Sequence, residues 1–250
     1  MKEQILIIND YGAGSYYSGL AELEISRDSG CLAKTITSEV EKFNINQTAV
    51  LLNDLWDKTW DNTIIVSLIA PYGSNSLRLI RIAEDDRTLY TFDNGSLELL
   101  LDNTPDDYTL SVLEIRKNDN IFPDIKKIGN AIKTFESYSK KITKNDIVKE
   151  KIAKPKEKKG FIAGQMIFSD SFGNIISNIP NNYFDNSNQI TLRDRYNIKT
   201  VGGDTPNDKY TPFAYKGSYG FIEIAMINSD AKKELAMRND QEIKLVLNQD

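Results

Sequence analysis

The chain has 250 residues, of which 40% are hydrophobic and 27% charged, enough for one large domain or two small ones. Lys plus Arg number 31 and Asp plus Glu 36, a net charge of −5, so a polyanion such as nucleic acid is a poor partner. Histidine is absent, which excludes Ser-His-Asp and Cys-His catalysis, His-ligated metals and the usual general base near neutral pH. The single cysteine, Cys31, allows neither an internal disulfide nor a Cys-x-x-Cys motif. A metal site is not expected. Chemistry must come from carboxylates, hydroxyls, amides, Arg, Lys or a bound ligand.

The first ten residues lack a long apolar core and a small-residue cleavage site, so they read as a strand and not as a signal peptide. No apolar run approaches the ~18 residues of a membrane span. The expectation is a soluble cytoplasmic protein without a membrane partner. Ile5 to Ile8 is a continuous apolar run, the pattern of a strand covered on both faces. It ends at Asn9-Asp10, followed by Tyr11-Gly12-Ala13-Gly14-Ser15. A helix is predicted over Tyr16 to Ile25, a strand over Cys31 to Thr37, a helix over Asn46 to Trp56 and a buried strand over Thr63 to Ala70. Leu77 to Ile82 and Thr88 to Phe92 form a hairpin or adjacent strands; Tyr108 to Ile115 is a strand and Phe122 to Phe135 a helix. This alternation implies a mostly parallel sheet with covering helices.

From Lys144 to Lys159 the composition shifts to seven Lys against three acidic residues, with Pro155. This reads as a solvated connector, with phosphate binding as the alternative. Beyond Gly160 the pattern is all-β, with short strands at Phe161 to Ser169, Asn174 to Ile179, Gln189 to Leu192, Phe221 to Ile227 and Glu242 to Leu247. The expected organisation is an α/β nucleoside-binding domain over 1–145, a Lys-rich linker over 146–159 and a smaller, all-β, barrel-like domain over 160–250.

Ligands of an open parallel sheet bind beyond the carboxyl ends of its strands, where Asp10 and the Ala70-Pro71-Tyr72-Gly73 turn stand. A lone Asp there is either a cap or a ligand contact. Gly12 and Gly14 do not make a dinucleotide fingerprint, because the third glycine and the acidic partner are missing.

Four segments carry more: Asn9-Asp10-Tyr11-Gly12 with Tyr17-Ser18-Gly19; Phe92-Asp93-Asn94-Gly95-Ser96-Leu97; the run Phe168-Ser169-Asp170-Ser171-Phe172-Gly173-Asn174 through Ser177-Asn178-Ile179; and Gly217-Ser218-Tyr219-Gly220 through Glu223-Ile224-Ala225. In this order and spacing the chain resembles, essentially end to end, the S-adenosylmethionine (SAM) hydroxide adenosyltransferase family, which also contains fluorinase and chlorinase. The resemblance implies an α/β domain followed by a β-barrel-like domain. It also implies a homotrimer with SAM between neighbouring subunits, no separate cofactor, and in-line displacement at C5′ of the ribose. The products are methionine and adenosine or a 5′-substituted adenosine. The sulfonium is already a good leaving group, so the protein need only position a desolvated nucleophile and hold the ligand rigid.

Carried over residue by residue, the resemblance makes Asp10 the carboxylate that grips the ribose diol, a charge-assisted pair of bonds. Phe43 is an aromatic beside the nucleoside or a core residue. Asp170 takes the methionine ammonium, Asn174 reads the adenine edge, Phe172 packs on adenine and Ser218 holds the methionine carboxylate. The family's second Asp is Ser15 here, and the cation after Ser218 is Tyr219. The Asp, Arg and His that handle water in hydrolytic members correspond to Ala70, Leu77, and Arg116 or Lys117. Arg78 adjoins Leu77 but belongs to the opposite face of a strand. Halogenating members have Tyr where Ala70 stands, and Tyr72 is nearby. Three functions stay open: a SAM-hydrolysing or related adenosyltransferase, a catalytically degenerate SAM- or adenosine-binding protein, and a trimeric scaffold.

Overall fold

The computed structural model describes residues 4–42, 44–59, 62–69, 76–105, 107–116, 125–150, 152–202 and 210–248. The chain divides into two compact units, Met1–Glu150 and Lys151–Asp250.

In the first unit the elements run β1 (Gln4–Ile8), α1 (Tyr16–Ser29), β2 (Leu32–Thr37), α2 (Ile45–Lys58), β3 (Thr63–Ser67), β4 (Ser76–Glu84), β5 (Arg87–Phe92), α3 (Glu98–Asn103), β6 (Thr109–Arg116), α4 (Ile125–Tyr138) and β7 (Lys140–Ile142). They form a seven-stranded sheet in the order β2-β1-β3-β5-β4-β6-β7. The strands β2, β1, β3 and β5 are parallel; β4 runs against both its neighbours and β7 against β6, so the sheet is mixed. The reversal at β4 follows from its connection to β5. Glu84 pairs with Arg87 across a two-residue turn, Asp85-Asp86, with Asp85 at φ 48°, a conformation Asp tolerates. So short a loop can only join antiparallel strands.

Two cores explain the apolar run in β1. On one face Ile5, Ile7, Val66, Leu77, Leu79 and Phe92 pack with Ile25 of α1 and Ile132 and Phe135 of α4. On the other, Ile8, Ile65, Ile80, Ile82 and Leu89 pack with Leu52 and Trp56 of α2 and with Leu100 and Leu101 of α3. Alternate residues serve opposite cores, so a central strand needs apolar side chains throughout. Helix α1 starts on Ser15, whose Oγ accepts from Tyr17 N at 3.3 Å, and stops at Gly30, φ 73°. Helix α3 is too short to show a period in the sequence.

The second unit runs β8 (Lys156–Lys158), β9 (Phe161–Ser169), β10 (Ile175–Pro180), β11 (Ser187–Leu192), β12 (Tyr196–Thr200), β13 (Phe213–Lys216), β14 (Phe221–Ala225), α5 (Ala231–Glu234) and β15 (Glu242–Leu247). The sheet β10-β14-β13-β12-β11-β15-β9 closes through β9–β10 pairing into a seven-stranded barrel, with β8 as an added strand on β9. Closure depends on the nine residues of β9. One edge pairs with β15 over Phe161–Gln165, while the other takes β8 over Phe161–Ala163 and then β10 over Met166–Ser169. The strand β8 thus falls within the stretch expected to be a solvated connector. Inside the barrel lie Ile162, Ile175, Ile190, Ile198, Ala214, Ile222, Ile224, Ile243 and Leu245. Among the described residues, no helix is long and apolar enough to cross a membrane.

One ion pair holds the end of the first unit to its sheet. The Arg78 guanidinium binds the Asp93 carboxylate and donates to Asp146 O at 2.8 Å, while Asp93 Oδ1 accepts from Val148 N at 2.8 Å. The Asp93 side chain is buried and that of Arg78 one-third exposed. Asp93→Ala leaves the guanidinium without its counter-charge and the Val148 N–H without its acceptor. It is expected to cost about 2–4 kcal/mol, read as a lowered urea midpoint, and an unchanged midpoint would remove the pair from the fold's support.

Candidate functional site

In the first unit the loop after β1 is built around Asn9 and Asp10, both buried. Asn9 Oδ1 accepts from Tyr11 N and from Ser18 Oγ, each at 3.1 Å, which ties the loop to α1. Gly12 (φ 96°) and Gly14 (φ 67°) take left-handed conformations, and Gly12 N donates to Ser38 O at 2.7 Å. The result is a tight loop that seats Asp10 at the carboxyl end of a central strand. Asn9 Nδ2 is buried with no hydrogen-bond partner among the described residues, a donor that sequence reading passes over. Tyr16 and Tyr17 stand exposed at the start of α1, their rings 5.8 Å apart. Ser15 serves as the N-cap.

The loop after β5 has its own bonds. Asn94 Nδ2 donates to Ile69 O at 2.8 Å and its Oδ1 accepts from Ser96 N at 3.0 Å, joining this loop to the end of the β3 segment. Ser67 Oγ, at the last residue of β3, and Ser96 Oγ are buried without hydrogen-bond partners among the described residues.

Of the positions implied for water handling, Leu77 is 1% exposed within the core beneath α1 and α4. Arg78, on the other face as strand alternation requires, is engaged by Asp93 and Asp146. Ala70, Tyr72, Lys117 and Phe43 lie outside the described residues, as does the side chain of Arg116.

In the second unit, the loop between β9 and β10 brings Asp170, Phe172 and Asn174 together. Asp170 Oδ1 accepts from Phe172 N at 3.0 Å and Asn174 N at 2.8 Å, and Oδ2 accepts from Asn174 Nδ2 at 2.8 Å. Gly173 (φ 84°) completes the turn, and a Cβ there would meet the Asp230 carboxyl carbon at 2.3 Å. The loop leaves the Phe172 ring 79% exposed. The rest of the motif is architectural: Ser177 Oγ donates to Ile222 O at 2.7 Å, and Asn178 Oδ1 accepts from Gln165 N at 2.7 Å.

Ser218 and Tyr219 occupy the turn between β13 and β14, with Gly220 at φ 83°. The Tyr219 ring meets Phe168 edge-on at 5.7 Å. Behind the turn sits Glu223, 3% exposed, which stands within a quoted motif but carries no role in the sequence reading. Its Oε1 accepts from Ser218 N at 3.2 Å and its Oε2 from the Tyr215 hydroxyl at 2.6 Å. The available signal is an acidic residue inside the apolar strand Phe-Ile-Glu-Ile-Ala. Strand register carries these groups to one place, since Phe168 pairs with Ile176, Ile176 with Glu223 and Glu223 with Tyr215. Burial and the nearby Asp170 push the Glu223 carboxyl above the usual carboxylate range, against the hydrogen bonds from Tyr215, Ser218 and Tyr219. Burial and Glu223 raise Tyr215 as well, so its hydroxyl stays a donor.

Two measurements follow from this geometry. Leu77→Arg places an unpaired charge in a closed apolar core; a loss of several kcal/mol in urea unfolding, beyond the ~2–5 kcal/mol of Leu77→Ala, is expected in place of any gained activity. Glu223 has a folded-state pKa above its unfolded value. Its contribution to stability is therefore full below the unfolded pKa and is lost as pH rises through the folded one. Glu223→Gln should unfold at higher urea than the parent at neutral pH, with the gap closing in acid; a gap independent of pH would contradict the raised pKa.

Models of two protein domains match the chain: the SAM hydroxide adenosyltransferase N-terminal domain over residues 5–148 and the C-terminal domain of the same family over residues 164–244. No curated protein matches the sequence. Among solved structures, an uncharacterized conserved protein from Thermotoga maritima is 21% identical with a TM-score of 0.77, over 97% of this chain and 99% of that one. A conserved hypothetical protein from Thermus thermophilus is 17% identical with a TM-score of 0.73, over 98% of this chain and 100% of that one. These likenesses establish the shared fold, an α/β unit followed by a closed barrel. With both domain models matched in order along nearly the whole chain, the protein belongs to the SAM hydroxide adenosyltransferase family.

Proposed function

We propose that the protein binds SAM, or a closely related 5′-substituted adenosine, and promotes displacement at C5′ of the ribose. In that step an oxygen–C5′ bond forms while the C5′–S bond breaks, its electron pair leaving with sulfur as neutral methionine. With water as nucleophile the product is adenosine and one proton is released. The protein's part is binding and orientation: Asp10 takes the ribose hydroxyls, Phe172 and Asn174 the adenine, and Asp170 and Ser218 the amino-acid end. Tyr219 and Ser15 border that end without adding a charge. The ligand sites lie at the subunit interfaces of a cytoplasmic homotrimer, with no further cofactor.

One observation carries the reading. The Asp170–Asn174 loop is fixed by three hydrogen bonds to one carboxylate, and yet it presents an aromatic ring almost entirely to its surroundings. Holding a large apolar surface rigid and uncovered makes physical sense when a flat partner such as a purine covers it. A second reading, binding without turnover, is favoured by Leu77. The position that would carry a cation for handling water is sealed in a core.

Incubation with SAM followed by chromatography is expected to show adenosine and methionine in equal amounts. Intact SAM after a day, together with a calorimetric binding signal, would select the second reading. Asp10→Ala should weaken nucleoside binding by about tenfold, the size of a charge-assisted hydrogen bond, and an unaltered affinity would take Asp10 out of the site. Light scattering should give a trimer.

A further inference from the structure

We propose that Glu223 is a positioning residue for the amino-acid end of the ligand, acting through the turn that carries Ser218 and Tyr219. The inference deepens the proposed function and rests on it for what the turn touches.

Glu223 has the geometry of a strut. Its carboxylate accepts the Ser218 N–H at 3.2 Å, while the Tyr215 hydroxyl holds the other oxygen at 2.6 Å from the neighbouring strand. The turn has been shaped around it. A Cβ on Gly217 would fall 2.3 Å from both Cγ and Oε1 of Glu223, so glycine is required for the carboxylate to reach the Ser218 N–H. Asn181 fixes the same glycine from the far side. Its Nδ2 donates to Gly217 O at 2.8 Å and its Oδ1 accepts from Gly217 N at 3.2 Å. The Tyr219 ring then rests on Phe168, two residues before Asp170. The orientation of the Ser218 and Tyr219 main chain is thus set by one buried carboxylate.

The barrel has no structural need for a charge there. Glu223 pairs with Ile176 on one side and Tyr215 on the other, and among the described residues the titratable side chains that act on it are Tyr215 and Asp170, neither of them cationic. A buried acid beside a second carboxylate works against folding, so its presence is accounted for by what it holds in place.

The test is calorimetric titration of the full-length protein with SAM and, separately, with adenosine, which lacks the amino-acid end. Glu223→Ala should weaken SAM by about tenfold and leave adenosine within about twofold of the parent. Glu223→Gln keeps a carbonyl oxygen for the Ser218 N–H and should restore SAM binding to within about threefold. Gly217→Ala, which occupies the carboxylate's space, should reproduce the Glu223→Ala pattern. Unchanged SAM affinity in Glu223→Ala overturns the proposal. So does a parallel loss of both ligands, which marks a general structural role, or a failure of Gln to rescue. If the parent protein binds neither ligand, the proposed function itself falls and takes this inference with it.

Discussion

Carboxylates that accept main-chain N–H groups shape the loops of this protein. Asp93 takes the Val148 N–H, Asp170 takes those of Phe172 and Asn174, and Glu223 takes that of Ser218. Asp93 and Asp170 sit where a strand gives way to a turn, and Glu223 sits within β14, behind the turn it braces. A charged acceptor binds an N–H about twice as strongly as a neutral one, so a short loop can be held in one conformation without a core of its own. Such loops can present a side chain without yielding to it, which a binding surface needs. Asp170 shows how this works: its oxygens accept from the N–H groups of the turn, and the turn delivers the Phe172 ring.

The strands are readable where one side chain in two has to be apolar, or all of them. The bounds of β9 and β15 agree with the expectation from residue pattern alone, and β1, β2, α2 and β6 fall within a few residues of theirs. Strands β12 and β13 escape notice for a physical reason. β12 is Tyr-Asn-Ile-Lys-Thr, with Ile198 its one fully buried side chain, and β13 spans four residues. A strand that fully buries a single apolar side chain has no period to detect; its place is fixed by pairing with its neighbours. The alternation of elements leads one to expect a mostly parallel sheet. Most of its strands do run one way, with β4 and β7 against them, and the two-residue turn at Asp85-Asp86 makes the hairpin.

The site is legible in uneven measure. Asp170, Phe172 and Asn174 are neighbours in sequence, so the loop that unites them can be anticipated from one segment. Glu223 cannot be given a role that way, because its partners are Tyr215 across a strand pair and the main chain of Ser218, and only strand register brings Asp170 near. Asn9 is similar. Its amide oxygen is committed to Tyr11 and Ser18, and its Nδ2, unpaired among the described residues, becomes visible only when burial is known.

Alternation along β4 sends neighbouring side chains to opposite faces of the sheet. Leu77 faces the core under α1 and α4, and Arg78 faces the other way, toward Asp93. A slip of one residue would exchange them, but it would also turn Leu79, Ile80 and Ile82 to the wrong cores. Pairing with β5 on one edge and β6 on the other, over most of the length of β4, holds the register against such a slip. A cation therefore cannot be recovered at position 77 by adjustment of the strand. The groups proposed to bind the ligand stand on loops after β1, β9 and β13, none of which depends on the side chain at that position. The surface proposed to bind the nucleoside can therefore be kept whatever side chain stands at position 77, because β4 does not carry it.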